Sequence, residues 1–229
     1  MPLRRLLPLL VACALLVTAC GGSSSSDVDP ATALKTAQQK LSSTSGVRFS
    51  LTTGDLPDGV QGVKSATGTV TDAPAFDGTL GVVTSAGSFS VPVRAVDGKV
   101  YARIPLTPAW SEVAPGDYGA PDPAQLTSAD QGIPAILAAT TDPKAGDQVR
   151  GGTDNKEVLT TYTGTVPGSA VAHLIPGASG DTFRATYAVT SDGELRQAAL
   201  TGVFYDGKPS LTYTLVLTDY GTTADITAP

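Results

Sequence analysis

The apolar residues near the start of the main domain follow a helical period. Asp29 and Pro30 are typical of a helix start, because aspartate caps the first turn and proline suits its first position. Three apolar residues then fall on one face of such a helix: Leu34, Ala37 and Leu41. The pattern predicts an amphipathic helix over residues 30–43.

From Val47 onward apolar and polar residues alternate, which is the pattern of strands with one buried face. The alternating runs cover residues 47–51, 76–82, 89–93, 100–104, 183–189 and 211–217. Asp-Gly pairs at 97–98, 192–193 and 206–207 lie beside these runs, and such pairs are a strong hairpin signal. We therefore predict a large antiparallel sheet with one apolar face.

Two apolar stretches with helical character interrupt the strands. They lie around residues 122–139, where Pro134 suits a helix start, and around residues 167–175. Their candidates for packing on the sheet are Leu126, Ile133, Ile136, Leu137, Val171, Leu174 and Ile175. Helices gathered on the apolar side of an antiparallel sheet make an α+β architecture. A wide, twisted sheet curls as strands accumulate, and a cavity remains if the helices do not fill the curl.

The amino terminus has the pattern of an export signal. Arg4 and Arg5 precede an apolar stretch over residues 6–17 that is too short to span a bilayer. Small residues then lead into Cys20 in the order Val-Thr-Ala-Cys, which resembles the lipobox of bacterial lipoproteins. The alternative is a plain secretory signal with an incidental cysteine.

The lipobox predicts three parts of the chain. Residues 1–19 are a lipoprotein signal peptide, residues 20–29 hold the acylated Cys20 and a flexible Gly/Ser tether, and residues 30–229 form the lipid-binding domain. Acyl chains on Cys20 would hold the protein on the extracytoplasmic, periplasmic side of the cell membrane. Such an anchor needs no basic surface, and the chain offers none.

Composition and charge exclude several classes of protein. Of 229 residues, 41% are hydrophobic and 16% charged, which indicates a packed core and not a disordered chain. The net charge of −6 argues against a nucleic-acid partner. Two cysteines and one histidine leave little for a disulfide scaffold or a metal site. We expect no cofactor and no metal.

The sequence lacks common catalytic motifs, so we expect that the protein is not an enzyme. The sequence contains no G-x-S-x-G elbow, Walker loop or H-E-x-x-H pattern. A pair of carboxylates could serve glycoside hydrolysis, and the candidates are Asp147, Asp154, Glu157 and Asp181. Acidic residues on loops are more often solvated surface groups. His173 beside an apolar helix face is likewise more typical of a structural residue than of a functional one.

Several segments resemble the mycobacterial LppX/LprA/LprF/LprG lipoprotein family, in an LprG-like form, and they do not decide between its members. Besides the lipobox and tether, they are Trp110-Ser-Glu-Val, Pro121-Asp-Pro-Ala-Gln-Leu, Asp130-Gln-Gly-Ile-Pro-Ala-Ile-Leu137, the run from Val158 to Gly177, and Tyr187-Ala-Val-Thr-Ser-Asp-Gly-Glu-Leu-Arg196. The likeness covers almost the whole mature chain, but its motifs are apolar and turn patterns that identify no particular ligand. Tyr187 is a departure, since members carry a tryptophan at that place.

The resemblance implies both a fold and a function. The fold would be a single curved antiparallel sheet, a half-barrel, with helices on its concave face enclosing a hydrophobic cavity, similar to the periplasmic lipoprotein carriers of Gram-negative bacteria. The function would be to bind acylated lipids or lipoglycans and carry them through the cell envelope. A different class stays open: a structural or adhesive surface lipoprotein whose core is filled.

The free energy of moving an acyl chain between water, membrane and cavity indicates that a carrier also needs a partner protein. Moving a 16-carbon acyl chain from water into an apolar cavity is worth about 12 kcal/mol at ~0.8 kcal/mol per CH₂. The chain gains a similar amount in a bilayer, so its extraction from a membrane is close to thermoneutral. The direction of transfer must come from elsewhere, and we predict a membrane transporter that supplies or removes lipid.

Strand parity and the helical faces supply candidates for the cavity wall. They are Phe49, Val82, Phe89, Val91, Val93, Ile104, Ile133, Ile136, Leu137, Val171, Leu174, Phe183, Tyr187 and Tyr213. The same residues could instead pack against one another as a dry core, because alternation shows only which face is apolar. Trp110 could close the cavity mouth or serve as a packed anchor.

Overall fold

An open antiparallel sheet of eleven strands forms the framework of the protein. The computed structural model describes residues 28–105, 107–118 and 120–229, and all counts of elements refer to these. The strands are β1 (Gly46–Thr53), β2 (Gly62–Thr71), β3 (Ala75–Thr84), β4 (Gly87–Val96), β5 (Lys99–Ala102), β6 (Ser111–Val113), β7 (Thr141–Gly151), β8 (Glu157–Pro167), β9 (Thr182–Thr190), β10 (Leu195–Gly202) and β11 (Leu211–Thr218).

The strand order is β6-β5-β4-β3-β2-β1-β11-β10-β9-β8-β7. Hairpins build each half of the sheet, and β1 joins the halves by pairing with β11 from Arg48–Thr218 to Thr53–Tyr213. Within the described residues the outer edges of β6 and β7 pair with no further strand, so the sheet does not close into a barrel. The prediction of one large antiparallel sheet is confirmed.

Three α-helices lie on the concave, apolar face of the sheet. They are α1 (Pro30–Ser42), α2 (Ile133–Ala138) and α3 (Gly168–Leu174). The side chain of Asp29 caps α1 by accepting a hydrogen bond from the Thr32 amide at 2.9 Å, and Pro30 occupies the first turn. The helix buries Leu34, Ala37 and Leu41, as its spacing predicts.

The helices cover only one half of the sheet. Helix α1 packs on α2, β7 and β10, and α3 packs on α2, β8 and β9. This half has a dry core of fully buried side chains that includes Leu41, Ile136, Val171, Phe183, Tyr187 and Leu195. Three short 3₁₀ turns complete the fold, at Pro115–Tyr118, Pro123–Gln125 and Thr153–Asn155.

Two glycines make room for a large core side chain in the other half. Gly68 of β2 and Gly78 of β3 face each other across the ladder, and the ring of Phe76 lies over both. A Cβ atom on either glycine would collide with this ring, which is fully buried. The glycines therefore let an aromatic ring lie flat against the sheet.

Residues 1–27 lie outside the described part of the chain, and the predictions for the signal peptide, Cys20 and most of the tether fall there. Among the residues that are described, no helix is long and apolar enough to cross a membrane.

Candidate functional site: an apolar cleft between the sheet and a proline-rich segment

The half of the sheet that the helices leave free holds an apolar cleft of about 180 Å³, here named the first cleft. Its floor is formed by inward-facing side chains of β2 to β6, and its roof by the irregular chain after β6, residues 114–118 and 120–123. The described lining residues are Val63, Leu80, Val82, Thr84, Phe89, Val91, Val93, Val100, Ala102, Ile104, Pro105, Val113, Pro115, Tyr118, Ala120, Pro121 and Pro123.

A second cleft of about 120 Å³ continues the first toward the centre of the sheet. The two share a wall formed by Val63, Leu80, Ala120, Pro121 and Pro123. The other described lining residues of the second cleft are Phe49, Leu51, Ala66, Leu126, Ile133, Leu174, Ile175, Tyr205, Tyr213 and Leu215. The clefts therefore form one apolar region that runs from β6 to β11.

The roof explains why this region is not filled. The roof is rich in proline, which cannot continue a helix, and most of the side chains that it adds to the lining are short: Pro115, Ala120, Pro121 and Pro123. A 3₁₀ turn at Pro123–Gln125 fixes its end, because Asp122 caps the turn by accepting from the Ala124 amide at 3.0 Å, and Ala124 is buried. Prolines and alanines reach less far toward the sheet than the leucines and isoleucines of a helix, so space remains between the layers.

The chemistry of the lining suits hydrocarbon. No charged side chain is among the described residues that line either cleft, and the polar side chains are Thr84 and the tyrosines at 118, 205 and 213. Burying a charge without a partner is costly, so an anionic headgroup has no place inside these clefts. At the mouth of the first cleft Ile104 and Tyr118 are 40% and 60% exposed.

Nine of the fourteen predicted wall residues line the clefts. Val82, Phe89, Val91, Val93 and Ile104 line the first cleft, and Phe49, Ile133, Leu174 and Tyr213 line the second. The other five lie in the packed core under the helices: Ile136, Leu137, Val171, Phe183 and Tyr187. Parity places a side chain on the correct face of the sheet but does not show whether the layer above it fills the space.

Tyr187 illustrates the packed half. Its ring is fully buried, and its hydroxyl lies 2.7 Å from the Oγ1 atom of Thr140 at the end of α2. Burial raises the pKa of Tyr187 to about 12, and the hydrogen bond to Thr140 lowers it only in part. The residue is thus a neutral, satisfied core tyrosine away from the clefts.

Sequence reasoning missed the roof. Pro121 and Pro123 belong to a motif of the family resemblance and Pro115 to no predicted element, and none of them is a predicted wall residue, because they show neither a strand nor a helix period. A signal was nevertheless present. A long run that is apolar, rich in proline and without periodicity, placed between strands, indicates irregular chain that covers a sheet.

Trp110 lies away from the clefts. The guanidinium carbons of Arg94 and Arg103 lie 5.4 Å and 5.0 Å from the centre of its ring, so cation–π contacts hold it. Arg94 also binds Asp77 through its Nε atom at 2.7 Å. Trp110 is therefore a packed anchor and does not line either cleft. His173 is exposed on α3.

Two of the acidic candidates are paired with basic side chains. Glu157 binds Arg196 through two hydrogen bonds of 2.7 Å and 2.8 Å, and these lower the pKa of Glu157. Asp154 pairs with Lys156 at 3.0 Å. Within the described residues no group of three or more histidines, cysteines, aspartates or glutamates is placed to hold a metal ion. Glu157 is thus held ionised, whereas a general acid needs a raised pKa.

The sequence profile of the LppX_LprAFG lipoprotein family matches residues 29–226. The protein belongs to this family. The match covers every described helix and strand, and both clefts lie within it. The resemblance in the sequence is therefore confirmed.

Two solved mycobacterial structures show the same fold. LprF from Mycobacterium bovis matches with a TM-score of 0.71 and 14% identity, covering 87% of this chain and 96% of that one. LppX from Mycobacterium tuberculosis matches with a TM-score of 0.63 and 20% identity, covering 87% of this chain and 100% of that one. A LolA superfamily protein from Nitrosomonas europaea is more distant, with a TM-score of 0.30 and 10% identity. No curated protein sequence matches the chain.

Proposed function

We propose that this family member is a membrane-anchored lipoprotein that binds acylated lipids or lipoglycans in the two clefts and carries them through the cell envelope. The observation that carries the proposal is the pair of adjoining apolar clefts beneath the proline-rich roof, with no charged residue among their described lining. Membership of a lipoprotein family supports it. The protein would act by binding alone, without a catalytic step.

The size of the clefts bears on how the lipid enters. Their volumes of about 180 Å³ and 120 Å³ are near the ~150 Å³ of an apolar cavity that holds benzene, and below the ~300–1,000 Å³ common for ligand pockets. We infer that the clefts as they stand hold part of an acyl chain. Admitting a whole lipid requires the roof, which follows β6, to move away from the sheet.

The roof is suited to such a movement. Among the described residues, no ladder hydrogen bonds tie residues 114–123 to the sheet, because the last paired strand before α2 is β6. Segments with few buried contacts open at a lower free energy than core strands. Headgroups would remain at the mouth beside Ile104 and Tyr118, where solvent can hydrate them.

The membrane anchor of the protein and the direction of lipid transfer are proposed from the sequence. Acyl chains on Cys20 would keep the domain at the extracytoplasmic face of the membrane, within reach of a lipid donor. A chain leaving a bilayer for the clefts gains little net free energy. We therefore propose that a membrane transporter supplies or removes the lipid.

Native mass spectrometry of the purified protein tests lipid binding. The protein is delipidated, incubated with an acylated glycolipid and sprayed under non-denaturing conditions. We expect a complex whose mass equals protein plus lipid, and bound lipid in material extracted from the native host. A protein that is folded yet never retains lipid in either experiment would contradict the proposal and favour a structural surface lipoprotein.

A further inference from the structure

Two tyrosine hydroxyls are the polar side-chain groups of the second cleft. Tyr213 of β11 is 7% exposed, and Tyr205 lies half-buried on the loop between β10 and β11. All other described residues that line this cleft have apolar side chains. A pair of hydroxyls in such surroundings is where a ligand's polar group would be recognised.

The hydrogen bonds of the pair fix the positions of both protons. The Tyr213 hydroxyl lies 2.9 Å from the carbonyl oxygen of Val63, which can only accept, so Tyr213 is the donor. The two tyrosine hydroxyl oxygens lie 2.9 Å apart. Because the proton of Tyr213 is already used, Tyr205 must donate in this second bond.

The Val63 carbonyl holds this arrangement in place. Val63 precedes an irregularity in the β2–β3 ladder, and it lies beyond Ser65, the last residue of β2 that pairs with β1. If Tyr213 turned away, it would leave a carbonyl oxygen in an apolar cleft without this donor, which costs about as much as a lost hydrogen bond. Burial and the neighbouring Tyr205 also raise the pKa of Tyr213, so the hydroxyl stays protonated.

The pair therefore has spare acceptors and no spare donor. Each hydroxyl oxygen has two lone pairs, and Tyr205 accepts no hydrogen bond from a described residue. Gly62 lies beside this oxygen, and a Cβ atom there would come within 2.8 Å of it. The glycine leaves the space next to the Tyr205 hydroxyl free of a side chain.

We propose that Tyr205, held by Tyr213, is a specificity-determining residue that selects lipids with a hydroxyl group over lipids whose only polar groups are acceptors. A ligand hydroxyl can donate to the Tyr205 oxygen, whereas an ester carbonyl or an ether oxygen has nothing to donate and finds no donor. This inference rests on the proposed lipid binding and adds the chemical class of the ligand.

A paired ligand series tests the proposal on the whole protein. The ligands are methyl esters of hydroxystearic acids with the hydroxyl at different carbons, each matched with its methoxy derivative. Each competes with a fluorescent fatty acid for the delipidated protein. At the best position we expect the hydroxy ligand to bind about threefold to tenfold more tightly than its methoxy partner, the ratio expected for one neutral hydrogen bond.

Two variants test whether the preference for hydroxy ligands depends on the tyrosine pair. Tyr205→Phe keeps the ring and leaves the Tyr213–Val63 bond in place, so it should bring the ratio to within about twofold while both ligands still bind. Tyr101→Phe removes a hydroxyl from a residue of β5 that lines neither cleft, and it should leave the ratio unchanged. Circular dichroism and thermal unfolding confirm that each variant is folded.

The outcomes separate the two proposals. Equal binding of hydroxy and methoxy ligands by the wild-type protein, or an unchanged ratio in Tyr205→Phe, would overturn the specificity assignment and leave lipid binding intact. Failure of every ligand to displace the probe, or of the probe to bind, would overturn lipid binding and the assignment together.

Discussion

A tryptophan in place of Val91 tests whether the first cleft is real space in the folded protein. Val91 of β4 points into this cleft and pairs with Leu80 of β3, and it is only partly buried. Adding a large ring to a filled core forces side chains off their rotamers and costs about 1–3 kcal/mol or more. Adding it to a cleft of about 180 Å³ meets empty space.

The matched control is the same substitution at Val166, which is fully buried in β8 opposite Phe183 of β9. For a domain of this size 1 kcal/mol shifts the melting temperature by roughly 2–4 °C. We expect Val166→Trp to lower it by about 2–12 °C. For Val91→Trp we expect a change within about 3 °C, since less than 1 kcal/mol of overpacking is involved.

The assay combines thermal unfolding with lipid uptake. Val91→Trp should melt close to the wild-type protein yet bind a fluorescent fatty acid much more weakly, because the indole occupies the space that the chain needs. If Val91→Trp destabilises the protein as much as Val166→Trp, the first cleft is filled in solution and the reasoning is refuted. If it remains stable and binds lipid normally, the lipid lies elsewhere.

Two further predictions concern the framework. Gly68→Ala brings a methyl group against a buried phenylalanine ring and should cost about 1–3 kcal/mol in urea unfolding, whereas Gly54→Ala meets open space and should cost far less. Glu157→Gln removes a carboxylate whose pKa is lowered by its hydrogen bonds to Arg196. A lowered pKa stabilises the fold above the unfolded value near ~4.3 and loses this effect as pH falls through the folded value. At neutral pH the wild-type protein should therefore have a higher free energy of unfolding than Glu157→Gln. Urea unfolding at several pH values should show that this difference disappears in acid.

Local patterns in the sequence predict the framework well. Alternation assigns Val82, Phe89 and Val91 to the apolar face, because side chains on a strand alternate strictly and one face must be buried. The cap at Asp29 and the spacing of Leu34 likewise predict α1 to within one residue at its end. Each of these features depends only on neighbours along the chain.

The division of the sheet between helices and roof could not be predicted in the same way. It depends on β1 pairing with β11, which brings the helices over the carboxyl-terminal strands and leaves β2 to β5 to the irregular segment. Phe183 and Phe89 have the same local pattern in their strands. One lies under helices in a dry core and the other lines the first cleft, and only the long-range strand order separates them.

The difference between the halves supports a binding role for the clefts. By the scale measured for buried cavities, roughly 24 cal/mol per Å³, a void of about 180 Å³ costs at most about 4 kcal/mol, which is a large share of a typical domain's stability. A larger apolar residue in place of Ala120 or Ala102 would fill part of the first cleft, and such residues are common in strands and loops. The sequence instead places alanine and proline on the roof and packs leucine, isoleucine and phenylalanine in the helical half. The proposed lipid binding accounts for this cost, because a ligand chain in the clefts would restore the missing contacts and recover this free energy.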